Sequence, residues 1–236
     1  MYALNFHNLT LVFAAKNPPS SIVKDQWPSE PGAPFGFCGT QISSRSTVVG
    51  FCGMGRIAQA TLHRLVSFGV RNVVYHSRSP SPDEAILKAK YNLETMNYVS
   101  LDDLACTSDL IIVLTPGGKA TYHLIDDAFL RKCKKTATIV NTARGTVVDS
   151  DALALALKEE RIWSAGLDVV EGEPNILSSH PLVKEPRHVW SCVSSLPMIL
   201  TECLSRCVIV PHIGSATLET RTAMYAPDAF ERAMLT

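Results

Sequence analysis

No run of the 236 residues is apolar for long enough to span a bilayer, which excludes a membrane-spanning helix. Nor is there a surplus of either charge: 22 basic and 22 acidic side chains balance. A neutral chain carries no electrostatic footprint for nucleic acid or an anionic membrane, so neither partner is expected. The seven cysteines (Cys38, Cys52, Cys106, Cys133, Cys192, Cys203 and Cys207) form no C-x-x-C pair and are odd in number. Scattered thiols of this kind suit a reducing compartment and exclude a disulfide framework. Internal repeats are absent. The apolar run at 9–15 has no basic residue before it, so an amphipathic helix over 1–16 is expected in place of a secretion signal. The chain ends in "MLT", not in a peroxisomal address, and the cytoplasm is the default expectation.

What is present is a composition 46% hydrophobic and 19% charged, that of a globular chain with one sizeable core. Proline and glycine crowd 17–36, which reads as a loop, so 1–45 forms a leading segment. From Ser46 onward, short apolar runs alternate with longer amphipathic ones. The pattern predicts strands over 46–52, 72–77, 110–115, 137–143, 164–170 and 207–212. Helices are expected over 55–69, 81–92, 100–109, 126–133 and 149–162, with Gly69 closing the first and Ser100 capping the third. Alternation of this kind predicts an α/β fold, a doubly wound parallel sheet with helices on both faces.

Within this rhythm, "VVGFCGMGRIAQA" (48–60) runs from a buried strand into a helix. That setting turns G-x-G-x-x-A from a weak signal into a dinucleotide fingerprint. Gly53 allows the tight turn, and Gly55 lets backbone approach a pyrophosphate. Ala58 keeps helix and sheet close. Arg56 and Ile57 open a helix whose unpaired N–H groups face the phosphates. At the end of the second strand, "YHSRSPS" offers Ser77, Arg78 and Ser79, with no carboxylate before Asp83. A guanidinium between hydroxyls suits a 2′-phosphate, so NADP is expected ahead of NAD.

Three later segments fall where an open parallel sheet binds its ligands, beyond the carboxyl ends of strands. "NTARG" (141–145) carries Arg144, "GLDVVEGEP" (166–174) carries Asp168, Glu171 and Glu173, and "VPHIGSAT" (210–217) carries His212. Taken alone, Glu171 and Glu173 read as a solvated acidic loop. Together with "GFCGMGRIAQA", these segments, in this order over residues 46 to about 224, resemble the D-isomer-specific 2-hydroxyacid dehydrogenases. The stretch "APFGFCGTQISSRSTVVGF" and the missing acidic residue make the glyoxylate/hydroxypyruvate reductase branch the most similar.

The resemblance implies a role for each matching residue. Arg144 would hold the carboxylate and carbonyl of a 2-keto acid, a task its planar fork suits. His212 would be the proton donor and Glu173 its carboxylate partner, which favours an imidazolium and orients the ring. Thr115, Pro116, Thr142, Ala143, Asp168 and Gly214 would line the nicotinamide half of the cofactor. Glu171 keeps its reading as a solvated residue.

The resemblance also implies a homodimer and a second domain that closes over the cofactor. The sequence departs from the family there, since the N-terminal lid segment is not found and 226–236 reads as a shortened return segment. Residues 190–206, "WSCVSSLPMILTECLSR", fit no strand-helix rhythm. They read either as a surface loop inserted in the dinucleotide-binding region (46–225) or as translated non-coding sequence. The expected function is hydride transfer from NAD(P)H to a small 2-keto acid such as glyoxylate or hydroxypyruvate. The alternative is a non-catalytic dinucleotide-binding module or a truncated pseudoenzyme.

Overall fold

The computed structural model describes residues 42, 45–184, 190–191 and 207–225. The expected helix over 1–16, the loop over 17–36 and the segment 226–236 lie outside the described residues, as does 192–206.

Strands and helices alternate from the first strand on: β1 (Val48–Cys52), α1 (Arg56–Ser67), β2 (Asn72–His76), α2 (Glu84–Lys90), β3 (Thr95–Tyr98), α3 (Leu101–Thr107) and β4 (Leu110–Val113). The second half continues with α4 (Asp127–Lys132), β5 (Thr138–Asn141), α5 (Ser150–Lys158), β6 (Ser164–Leu167), α6 (Pro181–Lys184), β7 (Trp190–Ser191), β8 (Cys207–Ile209) and α7 (Leu218–Tyr225). The sheet runs β3-β2-β1-β4-β5-β6-β8-β7, every pair parallel. This is the doubly wound α/β fold expected. Its strand order reverses between β1 and β4, which opens a crevice beyond their carboxyl ends.

Successive strand residues point to opposite faces, and both faces are covered. On β4, Ile111 and Val113 pack into one cluster with Leu104 of α3, Phe129 of α4 and Leu153 of α5. Leu110 and Ile112 point the other way and join Ala58, Leu62 and Leu65 of α1. Burial on both sides explains why the central strands read as unbroken apolar runs. Among the described residues, no helix is long and apolar enough to cross a membrane.

Three differences from the sequence reading have local causes. Strand β3 was not expected: it is a sheet-edge strand of four residues, "TMNY", with only Met96 buried. Strands β5, β6 and β8 stop short of the bounds 143, 170 and 212, so the site segments are loops beyond strand ends. At β5 the cause is Asn141, whose side chain accepts from the Ala143 N–H and donates to the Arg144 carbonyl, each at 3.0 Å. Such side-chain bonds to nearby backbone end a strand in a turn. Finally, Trp190 and Ser191 of the stretch expected to fit no rhythm pair with Val208 and Ile209 as β7.

Candidate active site

The glycine turn sits at the topological switch. Gly53 has φ +100, a left-handed value that favours glycine, and its N–H donates to the His76 carbonyl at 2.7 Å. A Cβ there would also press on the Leu114 backbone at 3.0 Å. Gly55 has an ordinary φ of −81, but a Cβ on it would meet nothing within 4 Å. The space above its backbone is open.

Helices α3, α4 and α5 are capped by the side chains of Ser100, Asp126 and Asp149. Helix α1 starts from Gly55 without a side-chain cap and has no acidic residue in its first turn. Its amino end, opened by Arg56 and Ile57, is therefore suited to an anion. Beneath it, Cys52 is fully buried, and burial pushes its thiol up to about 12, so it is no nucleophile.

Beyond β2, Arg78 and Ser79 are exposed and Ser77 is half-buried. Ser77 donates its hydroxyl to the Ser79 carbonyl at 2.6 Å, which fixes the loop as a tight turn. The first carboxylates to follow have partners of their own. Asp83 accepts from Gln59 at 3.1 Å, and Glu84 accepts from the Tyr75 hydroxyl at 2.6 Å.

Thr115 and Pro116 follow β4 at the mouth of the crevice, half-buried and exposed respectively. Across from them, Thr142 and Ala143 follow β5 and are each only 9% exposed. The Thr142 hydroxyl is buried with no hydrogen-bond partner. A buried polar atom left unpaired in a crevice costs about 1–3 kcal/mol, so it marks a place where a ligand group fits. The orphaned Thr142 hydroxyl, the open face of Gly55 and the uncapped α1 together fit a dinucleotide.

Arg144 is exposed, donates to the Ala143 carbonyl at 2.6 Å and lies over Gly117, where a Cβ would come within 2.8 Å of its Cγ. Gly117 is thus its cradle, a role the sequence reading did not assign. Loops after the adjacent strands β5, β6 and β8 carry Arg144, Asp168 and His212.

Nδ1 of His212 lies 3.1 Å from Oε1 of Glu173. Its backbone is in the left-handed region, φ +51, where its N–H points to the carbonyls of Asp168 (2.8 Å) and Val210 (2.9 Å). Non-glycine residues held there carry strain that neighbours must offset. Asp168 supplies that hold. Its carboxylate, buried to 1% exposure, accepts from the N–H groups of Ile213 and Gly214. The structure thus gives Asp168 the task of holding the loop that bears His212. A cavity of about 620 Å³, with an aliphatic wall of Val170, Ile176 and Ile209, adjoins the His212–Glu173 pair.

Glu171 corrects the sequence reading. It is half-buried, and both its carboxylate oxygens lie 3.0 Å from Nε2 of His123. No short-range signal could have shown this, because the partner is 48 residues away.

The chain is similar to known proteins. Residues 19–195 match the D-isomer specific 2-hydroxyacid dehydrogenase, NAD binding domain, and the chain belongs to that family. A glyoxylate reductase of Thermofilum pendens is 37% identical over 203 residues, 84% of this chain and 50% of that protein. The human glyoxylate reductase/hydroxypyruvate reductase is 39% identical over 191 residues, 81% of this chain and again 50% of the relative. The chain therefore spans about half the length of the curated relatives it matches. Among solved structures, a glyoxylate reductase from Paecilomyes thermophila superposes with a TM-score of 0.71 and 29% identity, covering 94% of this chain and 58% of that one. The D-mandelate dehydrogenase of Rhodotorula graminis gives 0.60 and 33%, with 80% and 46% covered.

Proposed function

We propose that this chain forms the cofactor-binding and proton-delivering part of a reductase for small 2-keto acids, glyoxylate or hydroxypyruvate, with NADPH as the preferred reductant. The observation that carries this reading is the His212–Glu173 pair, 3.1 Å apart beyond the carboxyl end of β8. When bound, the nicotinamide supplies the hydride. The chain's own residues do the rest. Glu173 fixes the ring of His212 by accepting from Nδ1, which leaves Nε2 to deliver a proton to the carbonyl oxygen. Arg144 adds a planar, permanently charged fork for the substrate's carboxylate. Asp168 keeps His212 in its strained backbone conformation through the next two N–H groups.

Preference for NADPH is supported by the turn after β2. Arg78 stands between Ser77 and Ser79, and the first carboxylates that could repel a 2′-phosphate are engaged by Gln59 and Tyr75. The glyoxylate reductases among the relatives support the choice of substrate.

The test is to mix the purified chain with NADPH and either glyoxylate or hydroxypyruvate and to follow the absorbance of the reduced cofactor. Turnover that disappears in His212→Ala supports the reductase. Cofactor binding without turnover supports a non-catalytic dinucleotide module, and absence of binding sinks both.

A further inference from the structure

We infer that His123 and Glu171, which lie outside the reacting set, are positioning residues that aim Glu173 at His212 and tie that pair to the turn bearing Arg144. The inference rests on the reductase reading for its consequence in turnover, but its geometry stands apart from it.

The turn that presents Glu173 is closed by two backbone bonds, Glu173 N–H to the Val170 carbonyl at 3.4 Å and Asn175 N–H to the Gly172 carbonyl at 3.0 Å. Gly172, just before Glu173, has φ +88, a left-handed value that favours glycine. The turn as a whole is fastened to the rest of the fold at Glu171, through its side chain and its carbonyl. Its carboxylate is gripped by Nε2 of His123, 3.0 Å from both oxygens, and by the Tyr122 hydroxyl at 3.2 Å. Its carbonyl faces Nε2 of His180 at 3.2 Å.

His123 is itself over-determined, as an anchor must be. Its backbone is left-handed at φ +49, and its N–H donates to the Thr146 carbonyl at 2.9 Å. The Tyr122 ring stacks on its imidazole with centroids 3.9 Å apart. On the other side, Nδ1 lies 3.5 Å from Oδ2 of Asp149. With its Nε2 hydrogen-bonded to Glu171, its Nδ1 facing Asp149 and one face covered by Tyr122, the ring is held in one orientation.

The same clasp reaches Arg144. Residues 123–125 are zipped to 146–149 by backbone bonds: Ile125 N–H to the Val147 carbonyl, and Asp149 N–H to the Ile125 carbonyl, each at 3.0 Å. Gly145, directly after Arg144, lies so close to the 170–171 peptide that a Cβ would fall 2.1 Å from the Val170 oxygen. The Arg144 turn and the Glu171–Glu173 turn are thus packed backbone to backbone, with His123 pinning the far side of both. A displacement of about 1 Å at a reacting group costs on the order of a hundredfold in rate, so this alignment matters to the chemistry.

The test uses the whole chain labelled with ¹⁵N-histidine. Ring-nitrogen signals of His212 are assigned by their loss in His212→Gln, and Glu173→Gln provides the signature of a ring released from its carboxylate. We expect His123→Ala and Glu171→Ala to reproduce that released signature. Glu171→Gln, which keeps an acceptor for His123, should restore most of the native one. Turnover of glyoxylate should fall roughly ten- to a hundredfold in the two alanine variants and recover in Glu171→Gln. A folded His123→Ala or Glu171→Ala protein with native His212 ring signals would overturn the inference. Should His123→Ala not fold, Glu171→Ala decides, since that side chain is partly exposed. Absence of turnover in the parent chain would remove the reductase reading, while the ring signals would still decide the clasp.

Discussion

Asp168 and Gly214 are joined by a buried hydrogen bond of 3.1 Å, from the glycine N–H to one oxygen of the aspartate, and the other oxygen takes the Ile213 N–H at 2.8 Å. A carboxylate can accept on both sides, whereas a carboxamide can accept on only one. Asp168→Asn should therefore leave one buried N–H facing an NH₂ group, at a cost of about 1–3 kcal/mol. Urea denaturation should show a lower midpoint at unchanged slope. Turnover should fall as well, because His212 precedes these amides directly. A midpoint equal to the parent's would mean that the carboxylate does not hold the loop.

Two glycines separate stability from ligand binding. A Cβ on Gly145 would meet backbone atoms of Val170 and Glu171 at 2.1 to 2.6 Å, and backbone cannot yield as a side-chain tip can. Gly145→Ala should cost at least the roughly 1–3 kcal/mol typical of overpacking, read as a drop in Tm. Gly55→Ala meets nothing within 4 Å and keeps an ordinary φ, so its Tm should stay within a degree or two of the parent's. Its Kd for NADPH should rise on the order of tenfold, because the added methyl stands where backbone approaches the pyrophosphate. Equal losses of Tm in both variants would contradict this division.

Two buried thiols and one half-buried thiol, Cys133, predict a loss of stability in alkali. Burial pushes Cys52, Cys133 and Cys207 from an ordinary value of 9.0 up to about 12. Below pH 9, folded and unfolded chains both keep these protons, and their contribution is intact. Above it the unfolded thiols ionise first, so each thiol removes about 1.4 kcal/mol per pH unit until its folded value near 12 is reached. Denaturation midpoints should therefore fall steadily above pH 9. Alkylation at pH 8 followed by peptide mapping should find Cys106, which is exposed, modified ahead of these three. Rapid labelling of Cys207 in the native chain would be inconsistent with its burial.

Much of this was legible in the sequence, and the limits were physical. The buried central strands announced themselves because a strand covered on both faces is apolar throughout, as "LIIV" of β4 shows. The glycine turn stood out by its setting between strand and helix, whereas Arg144, Glu173 and His212 became candidates only through the resemblance of their segments, taken in order, to the family. Edge strand β3 was missed because one buried side chain in four residues makes no pattern. Glu171, His123 and Asp149 were missed for a different reason. Their meaning lies in contacts across 48 and 26 residues of chain, which no local periodicity encodes.

The last prediction concerns the choice of reductant. Tyr75, buried in β2, directs its hydroxyl to Glu84, and Gln59 of α1 engages Asp83, so both carboxylates have partners within the fold. Arg78, exposed at the tip of the turn, is left as the group able to meet a 2′-phosphate. A charge-assisted hydrogen bond contributes about 1.5–3 kcal/mol, so Arg78→Ala should weaken NADPH by roughly ten- to a hundredfold. NADH, with a free 2′-hydroxyl, should be unaffected within about twofold. Titration of each reduced cofactor by fluorescence reads both constants in the same preparation. Parallel weakening of NADPH and NADH would instead place Arg78 in the general architecture of the turn, and the proposed preference for NADPH would lose its physical basis.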